Sequence, residues 1–265
     1  MAIFQGNFFS QVIQRQTMFQ VALPNDLPPI MTKLNPHYKR RMKTLYLLHG
    51  FSGNCLDWLT GSCVNDLAGA YNLAVVMAGG DNSFYLNSKG TGNAYETFVG
   101  KEIVEYTRGT FGLSDKKEDT FIGGLSMGGF GAIHTGLCYP QTFGKMFGLS
   151  SALIIHDIEG MKPGESNGVA DYDYYERIFG DLDHLDESMN NPEAVIRKRL
   201  KAGEKIQPIF MACGAEDFLI EHNRSFRDFL KKQSVEVTYR ESPGTHEWKF
   251  WNEYLEPAIQ WLLNE

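Results

Sequence analysis

The chain of 265 residues contains only four cysteines. They form no CxxC pair and lack the spacing of a zinc site. Cys138 and Cys213 lie in apolar stretches and are expected as buried free thiols. Cys55 and Cys63 are near enough in sequence to meet, but in a reducing cytoplasm the expected state is a reduced pair. Basic residues are also scarce. Lys and Arg total 25 against 32 Asp and Glu, for a formal net charge of −7. That balance disfavours nucleic acid or an anionic membrane as partner, because no cationic surplus exists to neutralise phosphates. The one basic run, Lys39-Arg40-Arg41, is expected to be a solvated loop. No apolar run is long enough to span a bilayer, and Met1-Ala2-Ile3-Phe4-Gln5-Gly6 shows no basic region ahead of an apolar stretch. A cytoplasmic location is therefore expected. No internal repeat or low-complexity segment stands out.

What is present is enough apolar material for a substantial core, 43% of residues, as in ordinary globular domains. Phe8 to Ile13 and Met18 to Leu23 are β-prone, and the Pro- and Asn-rich stretch Pro24 to Pro36 predicts a loop. From Leu45 onward, short apolar runs alternate with helical periodicity. Leu45 to Leu48, Leu73 to Ala78, Phe121 to Gly124 and Ile209 to Ala212 predict buried strands. The alternating run Val235 to Tyr239 predicts a strand on the edge side. Tyr95, Phe98, Val99, Ile103 and Tyr106 recur at helical spacing, as do Phe226, Phe229 and Leu230. Trp248 to Leu263 predicts a final helix. Strands alternating with helices imply an α/β fold with a mostly parallel sheet covered on both faces. The polar, aromatic stretch from His156 to Lys205 is too long for a simple connection, since structureless loops beyond about 15 residues are uncommon. It predicts a partly helical, cap-like insertion within a single domain spanning residues 1–265.

The strongest local signal is Gly124-Leu125-Ser126-Met127-Gly128-Gly129. It fits G-x-S-x-G, follows an apolar strand and precedes a helical segment, the context of a nucleophile elbow. The glycines leave room for a sharp turn with Ser126 at its tip. A serine hydroxyl needs a base. Of seven histidines, His37, His49, His134, His156, His184 and His222 sit in other motifs or segments. His246 follows a strand and precedes the last helix, which puts it at the sheet edge that carries Ser126. Asp217, in the turn after Ile209 to Cys213, is the candidate to orient the imidazole. Glu216 and Asp157 are its rivals. An oxyanion needs two backbone donors. Met127, after the nucleophile, and Phe51, in His49-Gly50-Phe51-Ser52-Gly53, are the candidates.

Together these residues resemble the esterase D-like α/β-hydrolases, which include S-formylglutathione hydrolases, feruloyl esterases, mycolyltransferases and bacterial tributyrin (short-chain acyl) esterases. The marks are Leu48-His49-Gly50 with Asp57-Trp58, Ser83-Phe84-Tyr85, the Ser126 motif, Gly214-Ala215-Glu216-Asp217, and Gly244-Thr245-His246-Glu247-Trp248 with Trp251. The chain is most similar to the tributyrin esterase group. The resemblance implies a serine carboxylesterase acting on short acyl esters, including acetylated carbohydrates, with no metal or organic cofactor. It implies a pocket near Ser83, Phe84 and Tyr85, with substrate contacts from Gly50, Trp58, Phe84 and Tyr85. Trp248 and Trp251 are expected to anchor the last helix rather than touch substrate. A homo-oligomer is a further expectation, since such esterases are often oligomeric. Thioester hydrolysis, feruloyl ester hydrolysis and acyl transfer remain alternatives, because a triad does not fix the substrate.

Overall fold

A computed structural model describes residues 1–264. Among them, eight strands form one sheet: β1 (Ala2–Ser10), β2 (Arg15–Leu23), β3 (Lys43–Leu48), β4 (Leu73–Ala78), β5 (Thr120–Leu125), β6 (Lys145–Leu149), β7 (Ile209–Gly214) and β8 (Val237–Ser242). Their order is β1-β2-β4-β3-β5-β6-β7-β8. The first two strands are antiparallel, to each other and to β4, and β3 to β8 run parallel. Strands β3, β4, β5 and β7 are buried almost end to end. This explains why they read as unbroken apolar runs: both faces of a parallel sheet are covered.

Two apolar layers sandwich the sheet. One holds Tyr46, Ile122, Phe130, Ile133, Met211 and Leu230 beneath the helices Ile103–Phe111, Met127–Cys138, Pro192–Lys201 and Ile220–Lys232. The other holds Leu45, Val75, Phe147, Phe210, Leu255 and Ile259 beneath Val64–Ala70 and Trp248–Leu263. Successive residues on one strand, such as Leu45 and Tyr46, feed opposite layers, as the period of two requires.

Several expectations shift. The first strand begins earlier and ends at Ser10, and Ile13 lies in the following turn. Lys145–Leu149 is a strand that the apolar pattern did not single out. The loop 24–36 contains a helical turn, Pro29–Thr32. Lys39-Arg40-Arg41 is not simply a solvated run, since the half-buried Arg40 guanidinium donates to the Tyr71 carbonyl at 2.8 Å. All four cysteines are free, with Cys55 and Cys213 buried, Cys138 half-buried and Cys63 exposed. No helix of the described residues is long and apolar enough to cross a membrane.

Because β3 to β8 are parallel, their C-terminal ends lie on one rim. The loops leaving that rim carry residues 49–53, 79–87, 126, 150–157, 214–219 and 243–247. In open α/β sheets this is where ligands bind. The segment between β6 and β7 is long and contains the helices Tyr172–Phe179 and Pro192–Lys201.

Candidate active site

Ser126 stands between β5 and the helix Met127–Cys138, with φ 53° and ψ −121°. A side chain rarely adopts that conformation, and its surroundings hold it there. Its N–H donates to the Leu149 carbonyl at 2.9 Å, and its own carbonyl accepts from Ala152 at 2.9 Å. The flanking glycines are required by close approach. A Cβ at Gly124 would meet the Gly128 carbonyl oxygen at 2.3 Å, and one at Gly128 would meet the Leu48 carbonyl oxygen at 2.4 Å.

His246 sits on the loop after β8, and its Nε2 lies 3.0 Å from Ser126 Oγ. Its Nδ1 lies 2.9 Å from one oxygen of Asp217 and 3.1 Å from the other. With Nδ1–H donating to the carboxylate, Nε2 is left to accept the serine proton. The ring is held between Trp251, edge-on with centroids 5.0 Å apart, and Phe218 at 4.6 Å. Trp251 therefore both anchors the last helix and borders the imidazole. Its indole N–H donates to Ser150 Oγ at 3.1 Å.

Asp217 is buried, 2% exposed. Burial alone raises a carboxyl pKa. Here the hydrogen bonds from His246 and from the Leu219 N–H at 2.9 Å, with the imidazole's charge, outweigh it and leave the pKa below the ordinary carboxylate value. Glu216, its neighbour, is exposed and turns away, accepting the Gly244 N–H at 2.6 Å. That bond ties the Asp217 turn to the His246 loop. Asp157 lines the same cleft but is paired with His222 Nε2 at 2.9 Å rather than with His246.

Phe51 and Met127 line the same cleft as Ser126 and His246. Met127 is the first residue of its helix, where a backbone N–H has no intrahelical partner. The loop bearing Phe51 is shaped by His49, which is buried. Its Nδ1–H donates to the Gly50 carbonyl at 2.8 Å, and its Nε2 accepts the Gly80 N–H at 2.8 Å. Burial lowers the His49 pKa, which keeps this pattern of one donor and one acceptor.

The cleft has a volume of about 380 Å³. Phe84 lines it, but the three other residues expected to touch substrate, Trp58, Tyr85 and Gly50, do not. Trp58 is 1% exposed; its indole N–H donates to the Leu48 carbonyl and its ring packs edge-on against Trp248. Tyr85 is completely buried, and its hydroxyl donates to the His49 carbonyl at 3.0 Å. Gly80 and Gly131 make room for that ring, for a Cβ on either would lie within 2.3 Å of it. Gly50 is buried beneath the loop, packed on Leu125. Its neighbour Phe51 faces the cleft instead.

Sequence reasoning did not assign Asn167, Val169, Phe218 or His222 to the cleft, which they line together with Asp157 and Tyr175. Four of these six, Asp157, Asn167, Val169 and Tyr175, come from the segment between β6 and β7. Tyr174, on the same helix as Tyr175, fastens that segment to the rim. Its hydroxyl donates to the Asn82 carbonyl at 2.8 Å and its ring stands perpendicular to Phe51.

The mostly parallel sheet with helices on both faces, and a serine at a strand-to-helix elbow, define an α/β-hydrolase of the serine-esterase class. Residues 10–262 match the family described as "Putative esterase", and the chain belongs to this Esterase family. It is 44% identical over 262 residues to an acetyl esterase of Caldicellulosiruptor saccharolyticus, a match covering 99% of this chain and 98% of that one. Among solved structures, it is similar to the fluorophosphonate-binding serine hydrolase FphF of Staphylococcus aureus. The TM-score is 0.84 at 28% identity, covering 100% of this chain and 99% of that one. An S-formylglutathione hydrolase of the same organism superposes with a TM-score of 0.82 at 28% identity, covering 99% and 98%. The chain is thus a carboxylic ester hydrolase.

Proposed function

We propose that Ser126, His246 and Asp217 are the catalytic triad of an esterase for short acyl groups, of the acetyl type, carried on hydroxylated alcohols such as carbohydrates. The observation that carries the assignment is the imidazole of His246 held between the Ser126 hydroxyl at 3.0 Å and the Asp217 carboxylate at 2.9 Å. Ser126 Oγ attacks the ester carbonyl as its proton passes to His246 Nε2. The oxyanion is received by the N–H groups of Phe51 and Met127, each worth about 3 kcal/mol to the transition state. His246 returns the proton to the departing alcohol. Water, deprotonated by the same imidazole, then releases the acid.

Two features of the cleft support a short acyl group and a hydroxylated alcohol. Phe84 forms part of the wall, and behind it stand the fully buried Phe130 and Phe179, with centroids 5.4 and 4.9 Å away. A wall of interlocked rings gives little room to a long acyl chain. Asp157, His222 and Asn167 supply hydrogen-bonding groups to the same cleft. Sugar hydroxyls suit such a set. The segment 156–205 acts in this proposal as a cap that selects the alcohol. The 44% identity to an acetyl esterase supports the same acyl preference.

A thioesterase acting on S-formylglutathione is the second reading, favoured by the 28% identity to such a hydrolase. A panel of acetyl, butyryl, octanoyl and feruloyl esters, acetylated xylan and S-formylglutathione tests both. Highest kcat/KM on acetyl esters supports the first reading, and a preference for the thioester or the longer acyl chains overturns it. Loss of turnover in Ser126→Ala, by about 10⁶-fold, is expected on every substrate.

A further inference from the structure

The helix that begins at Met127 carries a second group of reactive side chains, two turns beyond Ser126. His134 and Cys138 stand one turn apart and share a helix face. Glu96, from the short helix Tyr95–Thr97, reaches the same place. Ligating atoms of the three residues, either ring nitrogen counting for the histidine, lie within 4.8 Å of one another, and Cys138 Sγ stands 3.9 Å from His134 Nε2.

His134 is completely buried, and its Nε2–H donates to the Met189 carbonyl at 2.8 Å. That bond puts the ring's lone pair on Nδ1. Nδ1 faces Glu96 Oε2 at 3.4 Å, and no hydrogen bond satisfies it. While the ring is neutral, the carboxylate cannot relieve it, since both atoms are acceptors. A cation between them would.

We propose that Glu96, His134 Nδ1 and Cys138 Sγ form a binding site for one Zn²⁺ ion. Carboxylate, imidazole and thiolate are all zinc ligands. The carboxylate and thiolate carry two negative charges between them, which neutralise the ion as a buried site demands. The second imidazole nitrogen donates to a backbone carbonyl, the contact that orients metal-bound histidines. Glu96 and Cys138 are only partly buried, and a water would complete the four ligands that zinc takes. On binding, the Cys138 S–H bond breaks, a sulfur–zinc bond forms, and the proton leaves to solvent. Without the ion, burial and the adjacent Glu96 hold that thiol protonated. The cation replaces the proton and reverses the balance. The ion staples the segment around Glu96 to the helix that carries the nucleophile, and takes no part in the chemistry at Ser126.

The test titrates the metal-free full chain with Co²⁺ and follows thiolate-to-cobalt charge-transfer absorption. Saturation at one ion per chain, displacement by Zn²⁺, release of one proton and a Tm that climbs with Zn²⁺ concentration are expected. Cys138→Ser removes the band, Glu96→Gln weakens Zn²⁺ affinity by about tenfold or more, and Cys63→Ser leaves both intact. Retained p-nitrophenyl acetate turnover in Glu96→Gln and Cys138→Ser reports an intact fold. If Cys138→Ser fails to fold, the affinity of Glu96→Gln decides. No saturable band, a band that survives Cys138→Ser or vanishes in Cys63→Ser, or unchanged affinity in Glu96→Gln overturns the proposal.

Discussion

Replacing Asp217 by asparagine changes one atom type at nearly constant volume, so it isolates the carboxylate's role at the proposed triad. The native side chain has one oxygen accepting from the Leu219 N–H at 2.9 Å and both oxygens within 3.1 Å of His246 Nδ1. In Asp217→Asn the amide oxygen keeps the Leu219 bond, which turns the NH₂ toward the imidazole. An NH₂ facing Nδ1 donates to it, so the ring proton moves to Nε2. The imidazole then presents a donor to Ser126, and no base remains for the serine proton. The imidazolium formed during attack also loses its counter-charge. A wrong tautomer of this kind lowers kcat by about 10⁴-fold, or about 5 kcal/mol at 1.36 kcal/mol per factor of ten. The assay is kcat and KM for p-nitrophenyl acetate, beside a thermal melt to show that the fold persists. KM should change little, because the cleft wall is untouched. Glu216→Gln is the control: its carboxylate holds the Gly244 N–H and not the ring, so its loss should stay within about tenfold. A loss below tenfold in Asp217→Asn, or an equal loss in both variants, refutes the assignment.

Three further outcomes are expected. The Asp217 pKa is lowered in the folded chain, so its contribution to stability is complete above the unfolded carboxylate value of about 3.9 and fades as pH falls through the lowered folded value. The Tm gap between the native chain and Asp217→Asn should therefore narrow below about pH 4, and a gap constant from pH 6 to 3 contradicts this. Gly128→Ala drives a Cβ to 2.4 Å from a backbone oxygen and should cost about 3 kcal/mol in a urea melt. Gly109→Ala, in a helix with nothing within 4 Å, should gain about 0.5–1 kcal/mol; equal effects would refute the steric argument. Phe84→Ala opens the wall backed by Phe130 and Phe179, so the ratio of butyryl to acetyl kcat/KM should rise by about tenfold or more, one to three kcal/mol being typical of such pocket changes. An unchanged ratio places the acyl group elsewhere.

The parts of the fold that could be read from the sequence were those whose side chains are covered on both sides. Leu45 to Leu48, Leu73 to Ala78 and Ile209 to Ala212 are apolar because the parallel sheet hides them completely. β1 was misplaced because it is an outer antiparallel strand, where exposed Ile3 and Phe4 blur the alternation. Lys145–Leu149 is too short, and too interrupted by Gly148, to announce itself. At the site, Ser126, Asp217 and His246 were legible because each follows a strand of the same parallel sheet, so one rim collects them. Trp58 and Tyr85 were not, because a motif locates a loop without giving the direction of its side chains. Tyr85 has φ 55° and turns inward between glycines. Asn167, Val169 and His222 belong to no motif. Asn167 and Val169 reach the cleft through the packing of the segment after β6, and His222 through the helix Ile220–Lys232 after β7, which no local spacing encodes.

That segment meets the sheet in a particular way. It departs after β6 and returns at β7, while the three groups proposed for the chemistry are rooted in the turns after β5, β7 and β8. Its exposed residues can therefore change without disturbing the register of any strand. The machinery for breaking an ester and the surface proposed to choose the alcohol are rooted in different stretches of chain. A lineage built on this plan can change its diet by rewriting one stretch of chain while leaving the reactive centre alone.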